Sequence, residues 1–213
     1  MARVISHTHV SGHDFYTIDV DGDPVRVTVT STASVVRRWI TSSLNLHRRH
    51  VYLRRLVVGL GVQWSPGGSD PPADTLQLCV GRRCLIFQLA HADRVPRNLR
   101  TFLNHRSHTF VGFWNHSDRR KLENSEQCLD MCRDPLDLRF FAETENDENL
   151  VQDSVNEIVE KCLGYIVDQR REISMSNWNR KYLSREQVAY ATVDAYCAFL
   201  VGRNSRVWNV ETR

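Results

Sequence analysis

The chain has 213 residues, 41% hydrophobic and 25% charged, a balance that excludes a disordered segment or fibrous repeat and suffices for one sizeable core. A single domain over residues 1–213 is expected, and no apolar run is long enough to span a bilayer. The formal net charge of +3 permits a polyanionic partner without requiring one.

The opening "MARVISHTHVSGHDFY" lacks the apolar core of a signal peptide, so an intracellular protein of the nucleus or cytoplasm, without membrane contact, is expected. Six cysteines in apolar or helical contexts (Cys79, Cys84, Cys128, Cys132, Cys162, Cys197) fit reduced, buried thiols better than a disulfide framework. Cys128 and Cys132, four apart without a second pair, fit core or helix-face thiols better than a zinc site.

From residue 13 to 30 the chain alternates apolar and polar residues around Asp21-Gly22, which predicts a hairpin. "STASVVRRWITSSL" places Val35, Val36, Trp39, Ile40 and Leu44 at helical spacing. Three apolar runs follow, Leu56 to Trp64, Leu76 to Val80 and Cys84 to Leu89, and the tight Gly81-Arg82-Arg83 turn makes the last two antiparallel neighbours of a meander. A helix is predicted from Pro96 to Leu103, a strand from His108 to Asn115, and a helix entered through Ser117 or Asp118. The acid-rich Ala142 to Asn149 reads as an exposed loop, and "LVQDSVNEIVEKCLG" as an amphipathic helix capped by Gly164. A last helix runs from about Ser184 to Val201, entered through the capping box "SREQ". Strands first and helices after predict a mixed α/β sheet covered by helices.

Four stretches, "VVGLGVQWSP", "LQLCVGRRCLIFQL", "FVGFWNHSDRRKLE" and "MSNWNRKYLSREQVAYATVDAY", together resemble the Werner-syndrome-type 3'-5' exonuclease domain, most closely its short single-domain plant members. The resemblance spans about residues 13 to 203 with the motifs in family order. It implies a ribonuclease H-like fold: a five-stranded mixed sheet, three antiparallel strands first, flanked by helices, here with an N-terminal hairpin extension. In the DEDDy class four carboxylates hold two Mg2+ or Mn2+ ions and a tyrosine orients the attacking water. Two metals about 3.5–4 Å apart serve the attacking hydroxide and the leaving oxygen, and such hard cations need oxygen ligands.

Carried onto this chain, the resemblance assigns catalytic roles to Asp118, Tyr190 and Asp194, with Asp118 and Asp194 as metal ligands. Tyr190 and Asp194, four apart, share a helix face. The residue-level alternative for Asp118 is a helix N-cap. The first motif departs from the family: Gly61 and Gln63 stand where the family has Asp and Glu. Glycine offers no ligand, and glutamine offers a carbonyl oxygen without charge. If each lost ligand costs about 2–4 kcal/mol, the pair removes roughly three to six decades of rate.

Trp64, Arg119, Arg120, Lys121, Trp178 and Arg180 are the candidate nucleic-acid contacts, with single-stranded or recessed 3' ends as partner. "RRWITSSLNLHRRHVYLRR", Arg37 to Arg55, adds six arginines among aromatics, readable as a phosphate-tracking face or a solvated helix face. The expectation is a nucleic-acid-binding member of the family with weakened metal binding and weak or lost catalysis. The alternatives are an active metal-dependent exonuclease using Asp118, Asp194 and Tyr190, and a non-catalytic partner in a homo- or hetero-oligomer with active paralogues.

Overall fold

The computed structural model describes residues 2–144, 146 and 148–210. In chain order the elements are strands β1 (Arg3–Val10), β2 (His13–Val20) and β3 (Asp23–Thr30), helices α1 (Ala33–Leu46) and α2 (Arg48–Tyr52), and strands β4 (Leu56–Gln63), β5 (Thr75–Val80) and β6 (Arg83–Gln88). Then come α3 (Arg97–Leu103), β7 (His108–Gly112), α4 (Asp118–Glu123), β8 (Leu136–Asp137), α5 (Val155–Leu163), α6 (Arg171–Ser174) and α7 (Arg185–Asn204). No described helix is long and apolar enough to cross a membrane.

The strands form one mixed sheet in the order β1-β2-β3-β6-β5-β4-β7-β8. Its β6-β5-β4 part is the predicted antiparallel meander, and β4, β7 and β8 run parallel, which completes the expected five-stranded core. The N-terminal extension differs from expectation: it has three strands, and β3 pairs parallel with β6, so hairpin and core are one sheet. β1 escaped notice because almost every residue in it is exposed, leaving no buried alternation to detect. β7 stops at Gly112, short of the predicted Asn115, and Trp114 then takes a left-handed φ of 50° as the chain turns away.

Each face of the sheet carries its own core. α1 and α3 cover one with Trp39, Ile40, Leu99 and Phe102, while α7 covers the other with Ala195, Tyr196 and Phe199. All eight residues of β4 are buried between these layers, as a near-continuous apolar run requires. Contact between β4 and α7 depends on Gly59, where an added Cβ would stand 1.8 Å from the Ala195 carbonyl oxygen. That close approach brings Asp194 beside Gly61, two residues further along β4. The extension is tied down by Asp23, whose Oδ2 accepts from Tyr165 Oη and Tyr196 Oη at 2.7 Å each, and which also pairs with Arg82.

Ser184 with Gln187 forms the predicted capping box, and Gly164 closes α5 at φ 70° as expected; Ser154 with Glu157 adds a second box that sequence reading did not single out. The cysteines correct the expectation. Cys79 and Cys84, opposite each other on β5 and β6, form a disulfide, and Cys128 and Cys132 are exposed on the loop after α4 rather than in a core or on a helix. Of the expected acidic loop, the described residues 142–144, 146, 148 and 149 belong to no helix or strand, while Glu145 and Asp147 lie outside the described residues.

Candidate active site

Three elements bring the residues singled out in the sequence to one cavity of about 240 Å3, which Val155 of α5 and Ser174 of α6 also line. The end of β4 contributes Gly61, Gln63 and the adjoining Trp64; α4 contributes Asp118 from its first position; α7 contributes Tyr190 and Asp194. Residues two apart on a strand share a face, and residues four apart on a helix do likewise. Phe113 and Trp114 complete the apolar wall.

Asp194 is held by two amides. Gln63 Nε2 donates to its Oδ2 at 2.8 Å, and Gln169 Nε2 donates to its Oδ1 at 2.6 Å. Gln169 also donates to the Tyr190 carbonyl oxygen at 3.1 Å, which fixes its amide against α7. An ionised carboxylate only accepts, so both amides present N–H to it. Burial pushes the Asp194 carboxyl up to about 7, against the opposing pull of the Gln169 and Gln63 hydrogen bonds. Asp118 is raised well above the usual carboxylate range by burial and by the charge of Asp194, with Asp137 adding to the rise and Lys121 opposing it. Burial and the charge of Asp194 also raise the Tyr190 hydroxyl.

The space beside Gly61 is filled from the neighbouring strand. Gln77 stands directly opposite Gly61 in the β4–β5 register, and a Cβ added at Gly61 would lie 2.8 Å from Gln77 Oε1 and 3.7 Å from Asp194 Cβ. Gln77 is fully buried; its Nε2 donates to Thr75 Oγ1 at 2.6 Å, while Oε1 has no partner.

These residues do not fit a two-metal centre. Gly61 supplies no side-chain oxygen, Gln63 turns a donor rather than an acceptor toward Asp194, and the end of the Gln77 side chain stands 2.8 Å from where a Cβ at residue 61 would lie. Among the described residues no group of three or more His, Cys, Asp or Glu is placed to hold a cation. What remains is a pair of buried carboxyls with raised pKa values beside a tyrosine, with Asp194 held by two amide donors.

The candidate nucleic-acid contacts are placed unevenly. Trp64 lines the cavity, and Lys121 Nζ lies 4.1 Å from its ring centroid. Lys121 is itself buried, donating to the Pro71 carbonyl oxygen at 2.9 Å and lying 3.5 Å from Asp70. Arg119 pairs with Glu123 at 2.8 Å and Arg120 with Asp70 at 3.2 Å, whereas Arg180 is exposed. Trp178 corrects the expectation: at 1% exposure it stacks on no base, and its Nε1 donates to the Ser174 carbonyl oxygen at 2.9 Å. Its ring stands 6.1 Å from that of Tyr190 and backs it.

Sequence reading missed Gln77 and Gln169. A lone polar residue inside the apolar "TLQLCV", in register with Gly61, was the available signal for Gln77. Gln169 sits in the irregular segment between α5 and α6, where no periodicity marks it.

Comparison with known proteins places these features. A family model described as 3'-5' exonuclease matches residues 70–202, so Gly61 and Gln63 precede the matched segment. Over 175 residues the chain is 27% identical to exonuclease 3'-5' domain-containing protein 2 of Drosophila melanogaster, covering 81% of this chain and 28% of that protein. It is 27% identical over 157 residues to the bifunctional 3'-5' exonuclease/ATP-dependent helicase WRN of Mus musculus, covering 68% of this chain and 10% of that one. The chain therefore spans well under half the length of either relative. Among solved structures, the Aedes aegypti Nibbler EXO domain matches with a TM-score of 0.63 at 16% identity, covering 86% of this chain and 89% of that domain, a likeness of fold.

Proposed function

Because the chain belongs to the 3'-5' exonuclease family, we propose that it keeps a nucleic-acid groove at the Asp118–Tyr190–Asp194 cavity while its hydrolytic chemistry is lost or reduced by orders of magnitude. The observation that carries this reading is the 2.8 Å hydrogen bond from Gln63 Nε2 to Asp194 Oδ2, a donor on a carboxylate that in a metal centre would meet a cation. Two lost ligands at about 2–4 kcal/mol each correspond to roughly three to six decades of rate. Fewer ionised carboxyls also repel phosphate less, which supports binding without cleavage. The partner in this reading is a single strand or a recessed 3' end, lying against Trp64 and within reach of Arg180.

A second reading is a slow exonuclease with one weakly held Mg2+ or Mn2+ on Asp118 and Asp194. It is favoured by the convergence of both carboxyls and Tyr190 on one cavity.

The test is incubation of the protein with end-labelled single-stranded DNA, recessed DNA and RNA in Mg2+ or Mn2+, beside an Asp194→Ala control. The first reading expects no ladder above the control, together with retained, salt-sensitive binding of single strands in chelator. A ladder that vanishes in Asp194→Ala establishes the second reading instead.

A further inference from the structure

The α1–α3 face of the sheet, opposite the face covered by α7, carries a second concentration of chemistry. A cleft of about 770 Å3 between α1 and α3 is lined by Arg37, Arg94 and Arg97 above an apolar wall that includes Ile40, Val95 and Phe102. An adjoining opening of about 450 Å3 is lined by Arg54, Arg106 and Arg133 with Ser107. His105 lines both, so the two adjoin at that side chain. Arg54 precedes β4, and Arg106 precedes β7, so this opening lies at the start of the two parallel strands whose far end holds the candidate active site. Eight residues of β4 at about 3.3 Å each put roughly 23 Å between them.

Among the described residues, the arginines here lack the carboxylate partner that several others have; Arg38, Arg48, Arg49 and Arg180 lack one too, and what sets these six apart is that they line two adjoining clefts. Arg82, Arg119, Arg120, Arg139 and Arg170 each face a carboxylate within ion-pair distance. Among the described residues no Asp or Glu lines either cleft, although Asp134 lines a smaller pocket that shares Arg54, Arg106 and Arg133. Among the described residues, none of the six arginine side chains lining the two clefts has an ion-pair or hydrogen-bond partner. They come from separate stretches of the chain: α1, the turn before β4, the approach to α3 and its first residue, the turn before β7, and the loop before β8. Folding has gathered unneutralised guanidiniums, and planar guanidinium groups are suited to phosphate.

We propose that this double cleft is a second nucleic-acid-binding surface, remote from the candidate active site. It takes a single strand with backbone phosphates on Arg54, Arg106 and Arg133 and a base in the larger cleft. Two arginine trios in adjoining openings suit phosphates linked in a chain better than one free anion. The apolar wall and a volume within the range of about 300–1,000 Å3 for ligand pockets suit a base. An unpaired strand can turn its bases out into such a cleft.

The experiment measures anisotropy of a labelled oligothymidine on the full chain in chelator, across a salt series, with unlabelled oligonucleotide and tripolyphosphate as competitors. The test variant is Arg54→Glu/Arg106→Glu/Arg133→Glu. The control, Arg170→Glu/Arg171→Glu/Arg185→Glu, makes the same change in net charge among residues that are also exposed. Thermal melting confirms that both fold. The proposal expects the test variant to bind on the order of tenfold more weakly, with a log–log salt slope reduced by about 2, and the control to retain affinity. Equal loss in both variants, no loss in the test variant, or no binding by the unaltered chain overturns it. So does displacement by tripolyphosphate as effective, per phosphate, as by oligonucleotide, since the site would then read phosphate alone. Cleavage in Mg2+ or Mn2+ is a separate readout, so failure here and failure of the active-site reading are distinguishable.

Discussion

A carboxylate at residue 63 would repel Asp194 and need a cation between them; the amide there instead donates to Asp194 Oδ2 across 2.8 Å. Gln169 does the same for Oδ1, so hydrogen bonds stabilise a buried acid without a metal. They do not restore an ordinary carboxylate, because burial still lifts Asp194 to about 7. A carboxyl whose folded pKa exceeds its unfolded value of about 3.9 stabilises the fold fully below that value, and the contribution is lost as pH rises toward about 7. Asp194→Asn removes this dependence. The melting temperature of Asp194→Asn minus that of the unaltered chain is therefore expected to grow by several degrees between about pH 5 and about pH 8. A flat difference across that range contradicts the burial argument. The same cavity sets the outcome of restoring the family acids. Gly61→Asp with Gln63→Glu sets two more carboxyls beside Asp194 and a Cβ 2.8 Å from Gln77 Oε1, the movable end of a side chain. Chemical denaturation in chelator should then show a loss of about 1–3 kcal/mol, chiefly electrostatic, of which adding Gln77→Ala reverses only the steric part.

At the scale of elements, the site is an outcome of how closely α7 lies on β4. Gly59→Ala is expected to cost about 3 kcal/mol or more in denaturant unfolding, because its Cβ would meet the Ala195 carbonyl oxygen at 1.8 Å and backbone cannot yield as a side chain can. A loss under about 1 kcal/mol would mean that the helix shifts freely. β4 and α7 were legible for physical reasons: an apolar run buried on both faces, and a capping box followed by Tyr190 and Asp194 four apart. The meander was legible from its turns. β1 was not, because an exposed edge strand imposes no alternation, and the two-residue β8 has no pattern to carry. The disulfide was hidden because Cys79 and Cys84 also read as ordinary buried apolar positions, and their pairing depends on the strand register. Within the site, the gaps at Gly61 and Gln63 were visible in the sequence, whereas the amides that fill them come from β5 and from an irregular segment.

Over the whole molecule, two features lie at opposite ends of the same strands. One is a cavity with two carboxyls of raised pKa, of which Asp194 accepts from two amides; the other is a double cleft of guanidiniums without carboxylate partners among the described residues. In the proposed reading, the family fold keeps Asp118, Tyr190 and Asp194 together while Gly61 and Gln63 leave the end of β4 without the charge that concentrates dications. Restoring that charge should restore the metals. The most direct measurement is Mn2+ binding by electron paramagnetic resonance, comparing the unaltered chain with Gly61→Asp/Gln63→Glu/Gln77→Ala. The account predicts at most one weakly held ion on the unaltered chain and two, with a spin-coupled signal, on the variant. Two Mn2+ ions on the unaltered chain, lost in Asp194→Asn, would contradict it.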